Sequence, residues 1–123
     1  MSNYKESLKQ IMDIEGAVGV ALVDYTSGMT LAQLGGGPEL DLDVAAAGNT
    51  EVIRAKLATM SRLGLNDVIE DVLITLGTQY HLIRLLQGEG SQGLFLYLAL
   101  LKSKANLAMA RRQLSSIENQ LVI

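Results

Sequence analysis

The spacing of apolar residues changes several times along the chain, and each change marks an element. Tyr4, Leu8, Ile11 and Met12 recur at helical spacing, with Lys5, Lys9 and Asp13 on other faces, which predicts a short amphipathic helix. Asn3 followed three residues later by Glu6 has the form of a capping box, and Gly16 is a natural stop. From Ala17 to Val23 the apolar residues run on without alternation, as expected of a strand covered on both faces. Asp24-Tyr25-Thr26-Ser27-Gly28 reads as a turn with Gly28 at the positive-φ position. Met29 to Leu34 forms a second strand, and Gly35-Gly36-Gly37-Pro38 breaks it.

The stretch from Asp41 to Leu63 is a long helix, capped by Asp41 or Asp43 and ended by Gly64. It carries two adjoining stripes. Ala46, Asn49, Ile53, Leu57 and Met60 make one, bulky toward its end; Ala45, Gly48, Val52, Ala55 and Thr59 make the other, which is small throughout. Together they are wider than one packing contact demands. Small residues at this repeat let another backbone come close, and Gly48 costs about 1 kcal/mol of helix propensity against Ala. The width and the small stripe point to a partner interface on this helix.

Three further strands follow: Val68 to Leu76, Tyr80 to Leu86 and Leu94 to Leu101. Gly77-Thr78 forms a two-residue turn between the first pair, and the glycine-rich loop Gln87 to Gly93 joins the second. A last helix starts near Ser103, with Leu107, Ala110, Leu114 and Ile117 as its apolar stripe. The order αββαβββα, with meander connections, predicts an α+β chain with a five-stranded, mostly antiparallel sheet. Strands that are apolar on both sides require helices on both sheet faces. No repeat or linker divides the chain, and residues 3–121 read as one domain.

Composition narrows the function. The 123 residues are 49% hydrophobic, which excludes a disordered chain. With no Cys and one His, disulfides, thiolate chemistry and a two-His metal site within one chain are excluded. Ten basic residues against thirteen acidic ones give a net charge of −3, which argues against a nucleic-acid partner. No secretory signal follows the polar start Met1 to Lys9. The longest apolar run, Leu94 to Leu101, falls short of the roughly 20 residues of a membrane span. A soluble, cytoplasmic chain is expected, without cofactor or metal.

Candidate chemistry is sparse. Gly35-Gly36-Gly37 lacks the Gly-Lys-Ser/Thr ending of a phosphate loop and reads as a flexible connection. His81, between Tyr80 and Leu82 on a strand, has no nucleophile-elbow motif to serve and reads as a strand histidine with ordinary hydrogen bonds. Glu70 and Asp71 point to opposite faces of a strand and read as its solvated start. Arg111-Arg112 with Lys102 and Lys104 reads as a solvated helix face. The methionines Met12 and Met60 read as core. An enzyme is not expected.

Two patterns give the chain a family resemblance. Ile14-Glu15-Gly16-Ala17-Val18-Gly19-Val20-Ala21-Leu22-Val23-Asp24, then Gly28, resembles the first hairpin of the Roadblock family, which comprises dynein light chains and bacterial GTPase regulators. Lys104-Ala105-Asn106-Leu107-Ala108-Met109-Ala110-Arg111 is similar to the start of that family's last helix. The resemblance spans residues 3 to 118. The turn Asp24 to Gly28 is longer than the family's, and Leu100-Leu101-Lys102-Ser103-Lys104 lacks its common acidic residue.

The resemblance implies a profilin-like α/β/α sandwich that pairs with itself or with a paralogue. Central helices pack together, and third strands join edge to edge, in an interface above about 1,200 Å². Carried onto this chain, the helix positions are Ala45, Gly48, Val52, Ala55 and Thr59, and the strand positions are Val68, Ile69, Val72 and Ile74. It also implies a Ras-like small GTPase as partner, with no residue assignable as an arginine finger. The alternative is a small-molecule sensor, since related sandwich folds cradle ligands between sheet and helix.

Overall fold

The structure, a computed structural model, describes residues 2–123. Its elements follow the expected order: α1 (Tyr4–Met12), β1 (Ala17–Asp24), β2 (Met29–Gly35), α2 (Leu42–Arg62), β3 (Asp71–Thr75), β4 (Gln79–Leu85), β5 (Leu94–Leu101) and α3 (Leu107–Asn119). All five strands join one sheet in the order β2-β1-β5-β4-β3, and every pairing is antiparallel. β5 lies at the centre with β1 and β4 beside it; β5, and most of β1, is buried on both faces, which is why their sequences are apolar throughout. β5 is buried along almost its whole length. β2 and β3 are the two free edges.

The pleat sends alternate side chains to opposite faces, and two cores result. Leu22, Leu82, Leu96 and Leu98 face α1 and α3, where Leu8, Ile11, Ala110 and Leu114 meet them. Ala21, Val23, Ile83, Phe95 and Tyr97 face the other way, toward Leu42, Ala46 and Ile53 of α2. Two helices thus cover one face and a single helix covers the other, the α/β/α sandwich expected.

Local signals explain most boundaries. Asp41 caps α2, its carboxylate accepting from the Asp43 and Val44 N–H groups. Asn106 caps α3 by accepting from the Met109 N–H, so this helix begins at Leu107 and not near Ser103. The Asp24 carboxyl accepts from the Thr26 hydroxyl and backbone N–H, bonds that hold it below the usual carboxylate range. Gly28 closes that turn at φ +80.

Several expectations need correction. Asn3 does not cap α1. Its side chain instead donates to the Gln120 carbonyl and accepts from the Val122 N–H, while its own N–H donates to the Val122 carbonyl. That clasp closes residues 3 and 122 onto each other. β3 begins at Asp71, so Val68 and Ile69 precede the strand. Asp71 is not a solvated strand start, because Arg111 binds its carboxylate from Nε and Nη2, both at 3.2 Å. Of the basic cluster, Arg111 is therefore paired, and Lys102 stands 5.6 Å over the Tyr80 ring.

Gly35 tests how tightly the sheet edge is built. It has φ +76, and a Cβ there would lie 2.5 Å from the Val18 carbonyl oxygen. Gly35→Ala is expected to destabilise the fold by more than about 2 kcal/mol, from positive-φ strain and overpacking together. Urea denaturation would show this as a lower midpoint with an unchanged slope.

Candidate functional site

Helix α2 presents the small stripe to solvent. Leu42, Ala46, Thr50, Ile53 and Met60 form its buried arc. At 3.6 residues per turn, Arg54 falls on one shoulder of that arc. It donates from Nε and Nη2 to the carbonyls of Tyr25 and Thr26, which ties this shoulder to the β1–β2 turn. The opposite shoulder therefore turns toward β5 and β4. It carries Ala45, half-buried, and Gly48, Val52, Ala55 and Thr59, all exposed. The Thr59 hydroxyl is spent on the Ala55 carbonyl at 2.9 Å, so the stripe asks for no polar partner. A Cβ at Gly48 would meet nothing within 4 Å. Within one protomer, no steric reason for this glycine exists.

Beside this shoulder the sheet is incompletely covered. α2 packs on β1 and β2, and Val72 and Ile74 of β3 remain half-buried on the same face. Ile69 joins them from the segment before the strand. Its carbonyl accepts from the Gln87 side chain, and the neighbouring Glu70 carbonyl accepts from the Leu85 N–H. Val68 stands apart from this group at 63% exposure. The structure thus gathers Ala45, Gly48, Val52, Ala55, Thr59, Ile69, Val72 and Ile74 along one notch, with Val68 at its end. The free backbone edge of β3 borders it.

The far face of β3 and β4 is held by charge. Asp71 and Arg84 are register partners. Arg111 of α3 binds Asp71, and Arg84 binds Glu118 of α3, whose other oxygen accepts from the Gln87 N–H. Partly buried, these pairs fix α3 against the edge strand, so the notch side is the side left open.

Inside the notch is one polar group that composition did not mark as part of it. His81 pairs in register with Ile74 on one side and Ala99 on the other. Its Nε2 lies 2.8 Å from Gln79 Oε1, and its Nδ1 lies 3.1 Å from the Tyr97 hydroxyl. The amide oxygen only accepts, so Nε2 carries the proton and Nδ1 accepts from Tyr97. The two rings meet edge to face, 5.4 Å between centroids. Burial holds the imidazole below its ordinary pKa and pushes the Tyr97 phenol up to about 12. No nucleophile stands in this hydrogen-bonded set, and its bonds are those of a strand histidine.

The space between sheet and helices, where a ligand cradle would lie, is filled by Tyr97, Phe95, Leu22 and Ile53. Grooves open at the surface instead, one of about 350 Å³ between α1 and β2. Among the described residues no three His, Asp or Glu side chains gather as a metal ion requires. Among them, too, no helix is long and apolar enough to cross a membrane.

No family model matches the sequence, and no curated protein matches it. Solved structures do match in shape. The Roadblock/LC7 domain from Streptomyces avermitilis superposes with a TM-score of 0.75 at 12% identity, over 91% of this chain and 88% of that one. MglB with tetrameric arrangement gives 0.78 at 18%, over 95% and 83%. The gliding protein MglB from Thermus thermophilus gives 0.69 at 19%, over 94% and 88%. The chain has the fold of Roadblock/LC7 domains and MglB proteins, as its hairpin and last-helix patterns led one to expect.

The open space at Gly48 yields a direct expectation. Gly48→Ala adds helix propensity without a clash, and is expected to stabilise the protomer by up to about 1 kcal/mol. Thermal unfolding would register the gain.

Proposed function

We propose that this chain is a non-catalytic scaffold that pairs with a second copy of itself, or with a paralogue, and in that state receives a Ras-like small GTPase. The observation that carries this reading is the small-residue shoulder of α2, whose one charged neighbour toward the sheet is Lys56, exposed beside a half-covered sheet and an open strand edge. Two such notches are self-complementary in the manner of a twofold interface. The shoulder of each α2 fills the space over the other protomer's β4 and β3, and the free β3 edges continue one sheet into the next. Joining these edges also removes an aggregation hazard. Ala45, Gly48, Val52, Ala55 and Thr59, with Ile69, Val72 and Ile74, are the contact residues; Val68 contributes from the rim.

The GTPase assignment draws on the sequence resemblance and on a fold held in common with MglB. With no arginine finger assigned, any effect on hydrolysis would come from positioning the partner's own loops. The side chains that fill the interior between sheet and helices favour the scaffold over the sensor.

Sedimentation velocity at tens of micromolar is expected to show a dimer. Ala55→Arg places a charge in the helix contact, at a cost of several kcal/mol, and is expected to sediment as a folded monomer; a dimer of unchanged affinity would show that another face is used. Gly48→Ala is expected to weaken pairing although it stabilises the protomer. For the partner, any Ras-like small GTPase encoded near this chain should be mixed with it in its GTP and GDP states. Binding that differs between the two states is expected, and no difference with any such GTPase would end the GTPase assignment.

A further inference from the structure

The one histidine of the chain stands in the notch proposed as the pairing surface, between the α2 shoulder and Ile74. From this placement we infer that self-association is proton-sensitive, with His81 as the sensing group: mild acid separates the protomers while leaving them folded. The inference rests on the pairing reading given above.

The argument starts from the ring's two bonds. Both nitrogens are already used by the neutral imidazole, one donating to Gln79 and one accepting from Tyr97. Protonation puts a hydrogen on Nδ1, where the Tyr97 hydroxyl now donates. The tyrosine must turn away or accept instead, and the local set must rearrange. The imidazolium also lacks a counter-ion. On β3, Ile74 is its register partner, and Asp71 faces the other side, where Arg111 holds it; Glu70 is on the notch face but lies four residues before Ile74, exposed at the far end of the strand. β5 carries no charge between Leu94 and Leu101. On β4, Arg84 is drawn to Glu118 on the far face. On the side of α2 nearest the notch the charged residue is Lys56, of like sign. Asp41 at the helix cap is committed to the Asp43 and Val44 N–H groups.

In the free protomer the notch is half open, and water can solvate the cation. A second protomer closing over it removes that water, and burying an unpaired charge is disfavoured. The ring's pKa, already held down by burial, therefore falls further on pairing. A base whose pKa drops on association binds its partner fully above the free-protomer value. It loses affinity as the pH descends through that value, below about 6.5. Two rings per dimer contribute, so the dissociation constant is expected to rise severalfold between pH 7.5 and pH 5.5.

Sedimentation equilibrium at the two pH values, with circular dichroism to confirm folding, tests this. The wild type is expected to weaken at pH 5.5, and His81→Gln to keep one affinity at both. A second measurement needs no change at the histidine. The Cε1–H resonance of a chain with a single histidine is assigned without ambiguity. Its titration midpoint should lie lower in the wild-type dimer than in the Ala55→Arg monomer. An unchanged wild-type affinity, a pH dependence kept by His81→Gln, or equal midpoints in the two proteins would each overturn the inference while leaving pairing intact. A wild type that is monomeric at pH 7.5 would remove the pairing reading itself, and this inference with it.

Discussion

Coverage is the constraint on which this fold turns. Five strands about 4.8 Å apart make a sheet about 19 Å across, and an α-helix with its side chains is about 10 Å wide. Two helices can close one face, and α1 with α3 do so. One helix closes about half of the other. α2 is drawn to the β1–β2 side by its connection from β2 and by the Arg54 bonds to Tyr25 and Thr26. The shortfall is left over β3 and the first part of β4. Val72 and Ile74 stay half-buried there, at the rim of the core beneath α2.

That shortfall gives the small stripe its meaning. A glycine in the middle of a 21-residue helix weakens it, and nothing inside the protomer requires it. The same small side chains, set beside an uncovered strip of sheet, make a shoulder against which a second helix can lie at close range. The charged pairs on the opposite face sharpen the contrast: Arg111 with Asp71 and Arg84 with Glu118 finish one side of the edge strands with polar closure, and the other side is left apolar.

Much of this was legible from residue spacing, because the signals are local. The apolar run Ala17 to Val23 and the run Leu94 to Leu101 announce central strands. The two stripes of α2 separate cleanly into a buried arc and an exposed shoulder, and Asp41 caps as read. What the pattern could not show depends on residues far apart in the chain. Asn3 looks like a helix cap until Val122 arrives beside it. Arg111 looks solvated until the fold brings Asp71, forty positions earlier, within reach. Val68 continues an apolar pattern, yet the strand starts only where Asp71 meets Arg84. His81 has the sequence setting of an ordinary strand histidine, and its bonds to Gln79 and Tyr97 agree. Its position in the notch follows from strand order, which spacing alone does not encode.

The clasp between residues 3 and 122 has a practical corollary. Asn3 and Val122 bind each other where the outer ends of α1 and α3 meet, on the sheet face opposite α2. A fluorophore attached beside Asn3 or beside Val122 would thus emerge at the same spot, turned away from the shoulder and the bare strip of sheet. Two labels on one molecule would be held a short, nearly constant distance apart, a built-in ruler for energy-transfer measurements that does not obstruct the opposite surface.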